Sequence, residues 1–398
     1  MDKSYDICIV GGLGHIGLPM GITMAKAGKS VLLIDINPEA IKTVSCGKVP
    51  FMEAGAEETL KEVLNKTLFI SNNNSDIRLC KFVVIVIGTP VDEHLNPQFT
   101  IFKKLFLTLM DNITDTHHII LRSTVYPGTT ERIRDFLHSH GKRIALTFCP
   151  ERIAEGKALE ELSSLPQIIG AFDDKSFNEA SAFFNALTTD IIRLTPLEAE
   201  LTKLFTNVWR YILFSISNQF YQVATQNNVD FYKVYNAAVH HYPRMAGFAK
   251  AGFAAGPCLF KDTMQLAAFS NNEFFLGHAA MLINEGLPNF IVKRLKDKYN
   301  LKEKRVGIIG MAFKGDIDDE RESLSYKLKK ILEFEAKEVL CTDPYVRDDR
   351  LVPLSECIEA SDILILGAPH SCYKGLTIDK TSKVLVDIWN FYGEGGYF

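Results

Sequence analysis

Unbroken apolar runs alternate with amphipathic stretches through the first half of the chain. YDICIV, SVLLID, FVVIVIG, HHIIL, ALTF and QIIG are apolar on both alternating faces. That pattern suits strands buried on both sides of a parallel sheet. Strands alternating with helices predict a doubly wound α/β fold, closing near Thr195. From Thr195 the text changes to TPLEAELTKLFTNVWRYILFSISNQFYQVATQ, with apolar positions at helical spacing and no breaker until about Asn227. This predicts one helix of about 30 residues, about 45 Å long. Thr195 suits its N-cap, Pro196 its first turn and Glu198 the reciprocal cap three residues on. More helix follows through NEFFLGHAAMLINEGLPNFIVKRLKDKY. RVGIIG, EVLCTD, DILILG and KVLVDI then return to strand patterns. The expected organisation is two Rossmann-like α/β domains, residues 1–195 and 301–398, joined by a helical segment, residues 196–300, that carries a dimer interface.

Composition narrows the class. With 398 residues, 47% of them hydrophobic, the chain is long enough for two or three packed cores. Forty-four basic residues against 48 acidic ones leave a net charge of −4, and no basic run points to nucleic acid. No apolar stretch reaches the length of a membrane span, and the start reads as a strand rather than a signal peptide. The eight cysteines are scattered, without CxxC pairs or Cys/His spacing suited to zinc. Thiols in a reducing compartment, the cytoplasm, and no metal are expected.

Chemistry enters first at IVGGLGHIG, which follows the first strand and opens a helix. Gly12, Gly14 and Gly17 form GxGxxG, with His15 and Ile16 inside it. Glycines there permit a tight turn, close approach of a pyrophosphate and close helix–strand contact. Asp35 ends the second strand, where a carboxylate suits the ribose hydroxyls of NAD and repels the 2′-phosphate of NADP. Thr89-Pro90 and Ser123-Thr124 end later strands, where such sheets present loops to a cofactor.

Two further clusters stay open on their own residues. Lys203 and Asn207 share one face of the long helix. The lysine is either a snorkelling surface residue or a placed charge. In GPCLFKD, a helix starting near Pro257 places Cys258 in its first turn, where the dipole favours thiolate, with Asp262 one turn later. Such a cysteine is an activated nucleophile with an acid/base neighbour, or an inert buried thiol.

GGLGHIGLP, VIGTP, RSTVYPGTT, CPERIAEGKALEEL, ELTKLFTN, GPCLFKDT, GMAFKGDIDDERES and VDIWN occur in that order. In this the chain resembles the nucleotide-sugar 6-dehydrogenases, the family of UDP-glucose, GDP-mannose and UDP-N-acetylmannosamine dehydrogenases. The resemblance implies four-electron oxidation of a sugar C6 alcohol to a carboxylate with two NAD and one water. It implies Cys258 as nucleophile, Lys203 and Asn207 as oxyanion donors that also touch substrate, and Asp262 and Thr124 as holders of a water network. Glu155 would be the acid/base of hydrolysis, with Glu151 and Arg152 in the same loop facing substrate. Arg244 would reach the substrate of a neighbouring chain, Lys314 would face the nucleotide sugar, and Arg321 the cofactor. The implied substrate is a UDP-sugar feeding surface polysaccharide, in a homodimer.

Three departures from the family pattern stand out, the last two near where sugar and nucleotide are recognised. His15 replaces an aromatic residue of the glycine loop, the stretch from Arg244 to Cys258 is short, and Trp389 stands where the family has an arginine. PERIAEGKALEEL resembles the UDP-N-acetylhexosamine branch, with UDP-N-acetylmannosamine as the expected substrate and UDP-glucose as the alternative. A two-electron 3-hydroxyacid dehydrogenase would not need Cys258 or AFKG. A silent nucleotide-sugar-binding protein would not keep both Lys203 and Cys258.

Overall fold

The computed structural model describes residues 4–89, 98–254, 256–379 and 381–393. Pro90, expected in a cofactor loop, lies outside them. The chain divides into two compact units, Met1–Thr206 and Asn207–Phe398.

The first unit is built on an eight-stranded sheet: β1 (Tyr5–Val10), β2 (Val31–Ile34), β3 (Leu68–Ser71), β4 (Cys80–Ile85), β5 (His118–Leu121), β6 (Ala145–Phe148), β7 (Gln167–Ala171) and β8 (Ile191–Leu194). Their spatial order is β3-β2-β1-β4-β5-β6-β7-β8. The first six of these are the dinucleotide-binding order, which reverses direction between β1 and β4. Side chains alternate between two cores. Ile7, Ile9, Val31 and Leu33 pack into one. Cys8, Val10, Leu32 and Ile34 pack into the other. Burial on both faces explains why these strands read as continuous apolar runs.

Two corrections concern this sheet. QIIG was expected to be parallel throughout, but β7 runs antiparallel to β6 through Thr147–Ala171 and Phe148–Gly170. The β6–β7 connection runs through a short helix, Ala158–Ser164, and returns as a hairpin-like excursion instead of a crossover. The pattern also omits β3 and β8. β8 is half-exposed with Arg193 in its middle, so it carries little apolar signal.

The long helix is Pro196–Gln226, 31 residues, and carries the division between the units within it. Its cap forms as expected: Glu198 Oε2 accepts from Thr195 N at 2.8 Å, and Glu198 N donates to Thr195 Oγ1 at 3.4 Å. The second unit continues through the helices Leu259–Phe269 and Phe275–Lys298 to a parallel four-stranded sheet. Its strands are β9 (Arg305–Ile309), β10 (Glu338–Thr342), β11 (Ile363–Leu366) and β12 (Val384–Val386), in the order β10-β9-β11-β12. This repeats the β2-β1-β4-β5 portion of the first sheet. One core joins the helical part to this sheet, with Tyr221, Tyr232, Phe253 and Leu287 against Val306, Ile308 and Val386.

Candidate active site

The turn after β1 is shaped by steric exclusion. Gly11 sits at φ +76°, and a Cβ there would strike Val86 O. A Cβ on Gly12 would lie 2.8 Å from Ile9 O, and one on Gly17 2.6 Å from Gly11 O. Gly14 is different: it is exposed, and an added Cβ would meet only Gly11 O, at 3.9 Å. Space above Gly14 is thus left open. The helix Gly17–Lys26 starts there with no side-chain cap at Ile16, and no side chain occupies its N-terminus. These features fit a pyrophosphate on a helix N-terminus. Asp35 is half-exposed at the end of β2; its Oδ2 accepts from Leu13 N at 3.0 Å and its Oδ1 from Asn37 N at 3.0 Å. The carboxylate is thereby aimed at the glycine turn, where ribose hydroxyls of NAD would meet it. His15 stacks on Phe51, ring centroids 4.1 Å apart.

The strand ends on the other side of the reversal are tied together. Thr89 Oγ1 donates to Thr124 O at 2.6 Å, and Ser123 Oγ bridges the backbone of Ile87 at 2.8 Å. Beneath Thr124 lies a residue the motif reading passed over. Arg122, fully buried, pairs with Glu151 and donates to Gln167 Oε1 at 3.1 Å. Glu151 also accepts from Arg152 N at 2.7 Å and Ile153 N at 3.1 Å. Arg152 donates through its guanidinium to Pro166 O. Glu151 and Arg152, expected to face substrate, hold the loop itself. That loop carries Glu155, and Glu53 clamps it by accepting from Gly156 N at 2.9 Å and Ala158 N at 2.7 Å.

The long helix contributes from its N-terminal part. In the first unit Glu200, 1% exposed, accepts from Gly128 N at 2.5 Å, Thr130 N at 2.8 Å and Thr130 Oγ1 at 2.6 Å. It caps the helix Thr129–Ser139, so the segment following Thr124 is fastened one turn from Lys203. Burial pushes the Glu200 carboxyl up, against the pull of those bonds. Lys203 and Asn207, one turn apart on this helix, are 9% and 6% exposed, so neither is a snorkelling surface residue.

In the second unit Asn207 Nδ2 donates to Asp262 Oδ2 at 2.6 Å, and Lys261 Nζ lies 3.2 Å from Asp262 Oδ1. Cys258 is the N-cap of the helix Leu259–Phe269, not a residue of its first turn as expected. Gly256 at φ +102° and Pro257 delay the helix start by one position. Asp262 N donates to Cys258 O at 2.9 Å, which sets the two residues one turn apart. The thiol is exposed and the carboxylate fully buried. Upstream, Asn218 holds Gly252 by both backbone groups, Nδ2 to Gly252 O at 3.0 Å and Oδ1 from Gly252 N at 2.9 Å. Asn284 completes this buried pair at 2.9 Å. Trp389 lies against Gly252, where a Cβ would strike its ring, and donates to Leu366 O at 3.1 Å.

Lys314 follows Phe313 in the turn after β9. Arg321 is gripped bidentately by Asp319, Nε to Oδ1 at 2.9 Å and Nη2 to Oδ2 at 2.5 Å. Arg244 is exposed in the short turn Pro243–Met245, its guanidinium 5.6 Å from the Tyr242 ring centre. It borders an open 520 Å³ groove lined by Tyr235, Tyr242, Met245 and Phe248. Among the described residues no cluster of His, Cys, Asp or Glu could hold a metal ion, and no helix is long and apolar enough to cross a membrane.

A reversing parallel sheet with an open glycine turn and an aimed carboxylate defines a dinucleotide-dependent α/β dehydrogenase. Residues 5–188 match the NAD binding domain of the UDP-glucose/GDP-mannose dehydrogenase family, 197–285 its central domain and 307–394 its UDP binding domain. The chain belongs to this family: it is an NAD-dependent nucleotide-sugar dehydrogenase. It is 30% identical over 384 residues to the UDP-N-acetyl-D-mannosamine dehydrogenase of Pyrococcus horikoshii, covering 94% of this chain and 91% of that one. A solved structure of the UDP-N-acetylmannosamine dehydrogenase from Pyrococcus horikoshii matches with TM-score 0.89 at 28% identity, over 97% of this chain and 96% of that one. A UDP-glucose dehydrogenase from Pyrobaculum islandicum matches with TM-score 0.89 at 25% identity, over 98% of this chain and 96% of that one.

Proposed function

We propose that this dehydrogenase oxidises the C6 alcohol of UDP-N-acetylmannosamine to the uronic acid, through a thioester on Cys258. The observation that carries the chemistry is an exposed thiol at a helix N-cap, one turn from a buried carboxylate held by Asn207. The Gly12–Gly17 turn and Asp35 would hold NAD, which would supply the hydride acceptor for both oxidations, with the hydroxyl proton of the first passing to water. An aldehyde becomes a hydride donor only after addition. The Cys258 thiolate adds to the aldehyde carbon, and Lys203 and Asn207 donate to the resulting oxyanion. Loss of hydride from that carbon leaves a thioester. Glu155 takes a proton from water as it attacks, and the thiolate leaves with the carboxylate formed. Asp262 and Thr124 order the water.

The substrate assignment rests on the UDP-N-acetyl-D-mannosamine dehydrogenases that this chain is similar to. UDP-glucose is the second reading, favoured by the equal TM-score of the UDP-glucose dehydrogenase structure. The working division is residues 1–195 for NAD, 196–300 for the catalytic helices and dimerisation, and 301–398 for the nucleotide sugar, with Lys314 facing that sugar. Phe205, Trp209, Ile216, Phe220 and Val223 form an exposed apolar stripe on the long helix, which supports a homodimer. Arg244 then serves the substrate of the second copy, in a cytoplasmic enzyme. The assignment is tested by kcat/KM on UDP-N-acetylmannosamine, UDP-N-acetylglucosamine, UDP-glucose, UDP-galactose and GDP-mannose. UDP-N-acetylmannosamine leads by at least tenfold; a lead for UDP-glucose overturns the choice of sugar.

A further inference from the structure

His370 is completely buried in the second unit and belongs to no motif used above. It joins three segments that are distant in sequence. Its Nδ1 accepts from Asp316 N at 2.9 Å, and its Nε2 lies 2.9 Å from Asp343 Oδ2. A backbone N–H can only donate, so Nδ1 carries the lone pair and Nε2 carries the proton given to Asp343. Asp343, at the end of β10, in turn accepts from Met311 N at 2.6 Å and Ala312 N at 3.0 Å. Its other oxygen accepts from Tyr345 N and Val346 N. Asp316 returns a bond, Oδ1 accepting from Ser371 N at 2.7 Å, and sits at φ +59°, a conformation that needs such support.

The turn 311–316 is therefore gripped at both ends: Asp343 holds Met311 and Ala312, and His370 holds Asp316. Between the grips stand Phe313 and Lys314. The Phe313 ring lies so close to Gly256 that a Cβ there would come within 2.7 Å of it, two residues before Cys258. We propose that His370 is a positioning residue, which through Asp316 fixes the Phe313–Lys314 turn for the nucleotide sugar and sets its contact with the nucleophile segment. This rests on the reading of Lys314 as a substrate residue.

Two substitutions separate the two arms of the ring. His370→Asn keeps an acceptor near the Nδ1 position and loses the reach to Asp343. His370→Gln keeps a donor near Nε2 and loses the acceptor for Asp316. Each removes one buried hydrogen bond, so a merely structural role moves both alike. Positioning predicts that His370→Gln raises KM for the UDP-sugar about tenfold, while His370→Asn raises it less than about threefold. Affinity for NAD stays unchanged in both. Amide hydrogen exchange of 311–316 speeds up in His370→Gln only. Equal KM changes, or unchanged exchange in His370→Gln, overturn the proposal. Lys314→Met serves as the control for the underlying reading. If 311–316 exchanges faster in His370→Gln while Lys314→Met leaves KM unchanged, the grip is real but Lys314 is not a substrate residue, and the functional half of the proposal falls.

Discussion

After β1 and after β9 the chain makes nearly the same turn, yet only the first is left open. Gly11 and Gly310 both have positive φ, +76° and +92°, and both press on the segment just past the adjacent strand, at Val86 after β4 and Ala368 after β11. Gly11 N donates to Ile34 O and Gly310 N to Thr342 O, at 2.9 and 2.8 Å. Each turn then gives an N–H to the carboxylate closing the neighbouring strand, Leu13 to Asp35 and Met311 to Asp343. Beyond that point they diverge. Asp35 accepts two backbone bonds and stays half-exposed. Asp343 accepts four backbone bonds and one from His370, with its side chain fully buried. One carboxylate is available to a ribose and the other is consumed by the protein. The second turn also lacks the glycines that admit a pyrophosphate, having Phe313 and Lys314 instead. The same local architecture thus serves a ligand in one unit and a fixed loop in the other.

The largest effects come from the two positive-φ glycines. Gly11→Val and Gly310→Val each combine a forbidden backbone conformation with a backbone clash, and each should cost about 3 kcal/mol or more. Thermal unfolding should show comparable losses for both. Residual activity should lose NAD affinity in the first and UDP-sugar affinity in the second. Identical kinetic defects would break the comparison.

Next in size are the carboxylates. Asp35→Asn should weaken NAD binding about tenfold with little change in KM for the sugar. Asp343→Asn should leave NAD binding alone and cost stability. Burial by itself would raise the Asp343 carboxyl, but the hydrogen bond from His370, with the backbone donors, holds it at about 2, below its ordinary 3.8. A depressed carboxyl stabilises the fold above its unfolded pKa and loses that contribution as pH falls through the folded one. Stability should therefore drop by about 2 kcal/mol between about pH 4 and pH 2 from this group, and Asp343→Asn should flatten that limb. Denaturant unfolding at stepped pH measures both.

The smallest stability effect is expected at Gly14. No described residue crowds it, so Gly14→Ala should change stability by less than about 0.5 kcal/mol. NAD affinity should nevertheless fall, because the open space serves the ligand. Intact affinity would mean that the pyrophosphate does not lie over Gly14.

The open turn was the part most legible in the sequence. Its glycines are spaced by covalent and steric rules that act within a few residues, as are the apolar β1 and β2 runs and the Thr195–Glu198 cap. The second turn was legible only through the resemblance carried by GMAFKGDIDDERES, which marked Lys314. Its grip depends on Asp343 and His370, 32 and 59 residues beyond Met311, and no local pattern marks their meeting. The same holds for Arg122 with Glu151 and for Glu200 with Thr130. Buried ion pairs and caps formed across the chain leave no periodicity. β8 was missed because Arg193 interrupts a half-exposed strand, and β7 was misdirected because an apolar run does not encode strand direction. At Cys258 the sequence placed the helix start one residue early, since the left-handed Gly256 is a property of the folded segment.

The most direct test of the account is the number of NADH formed per UDP-sugar consumed, run to completion with the native enzyme and with Cys258→Ser. Two NADH per sugar for the native enzyme, with uronic acid formation lost in the serine variant, is the predicted result. One NADH per sugar in the native enzyme, or two per sugar at native rate in Cys258→Ser, would contradict thioester chemistry at Cys258.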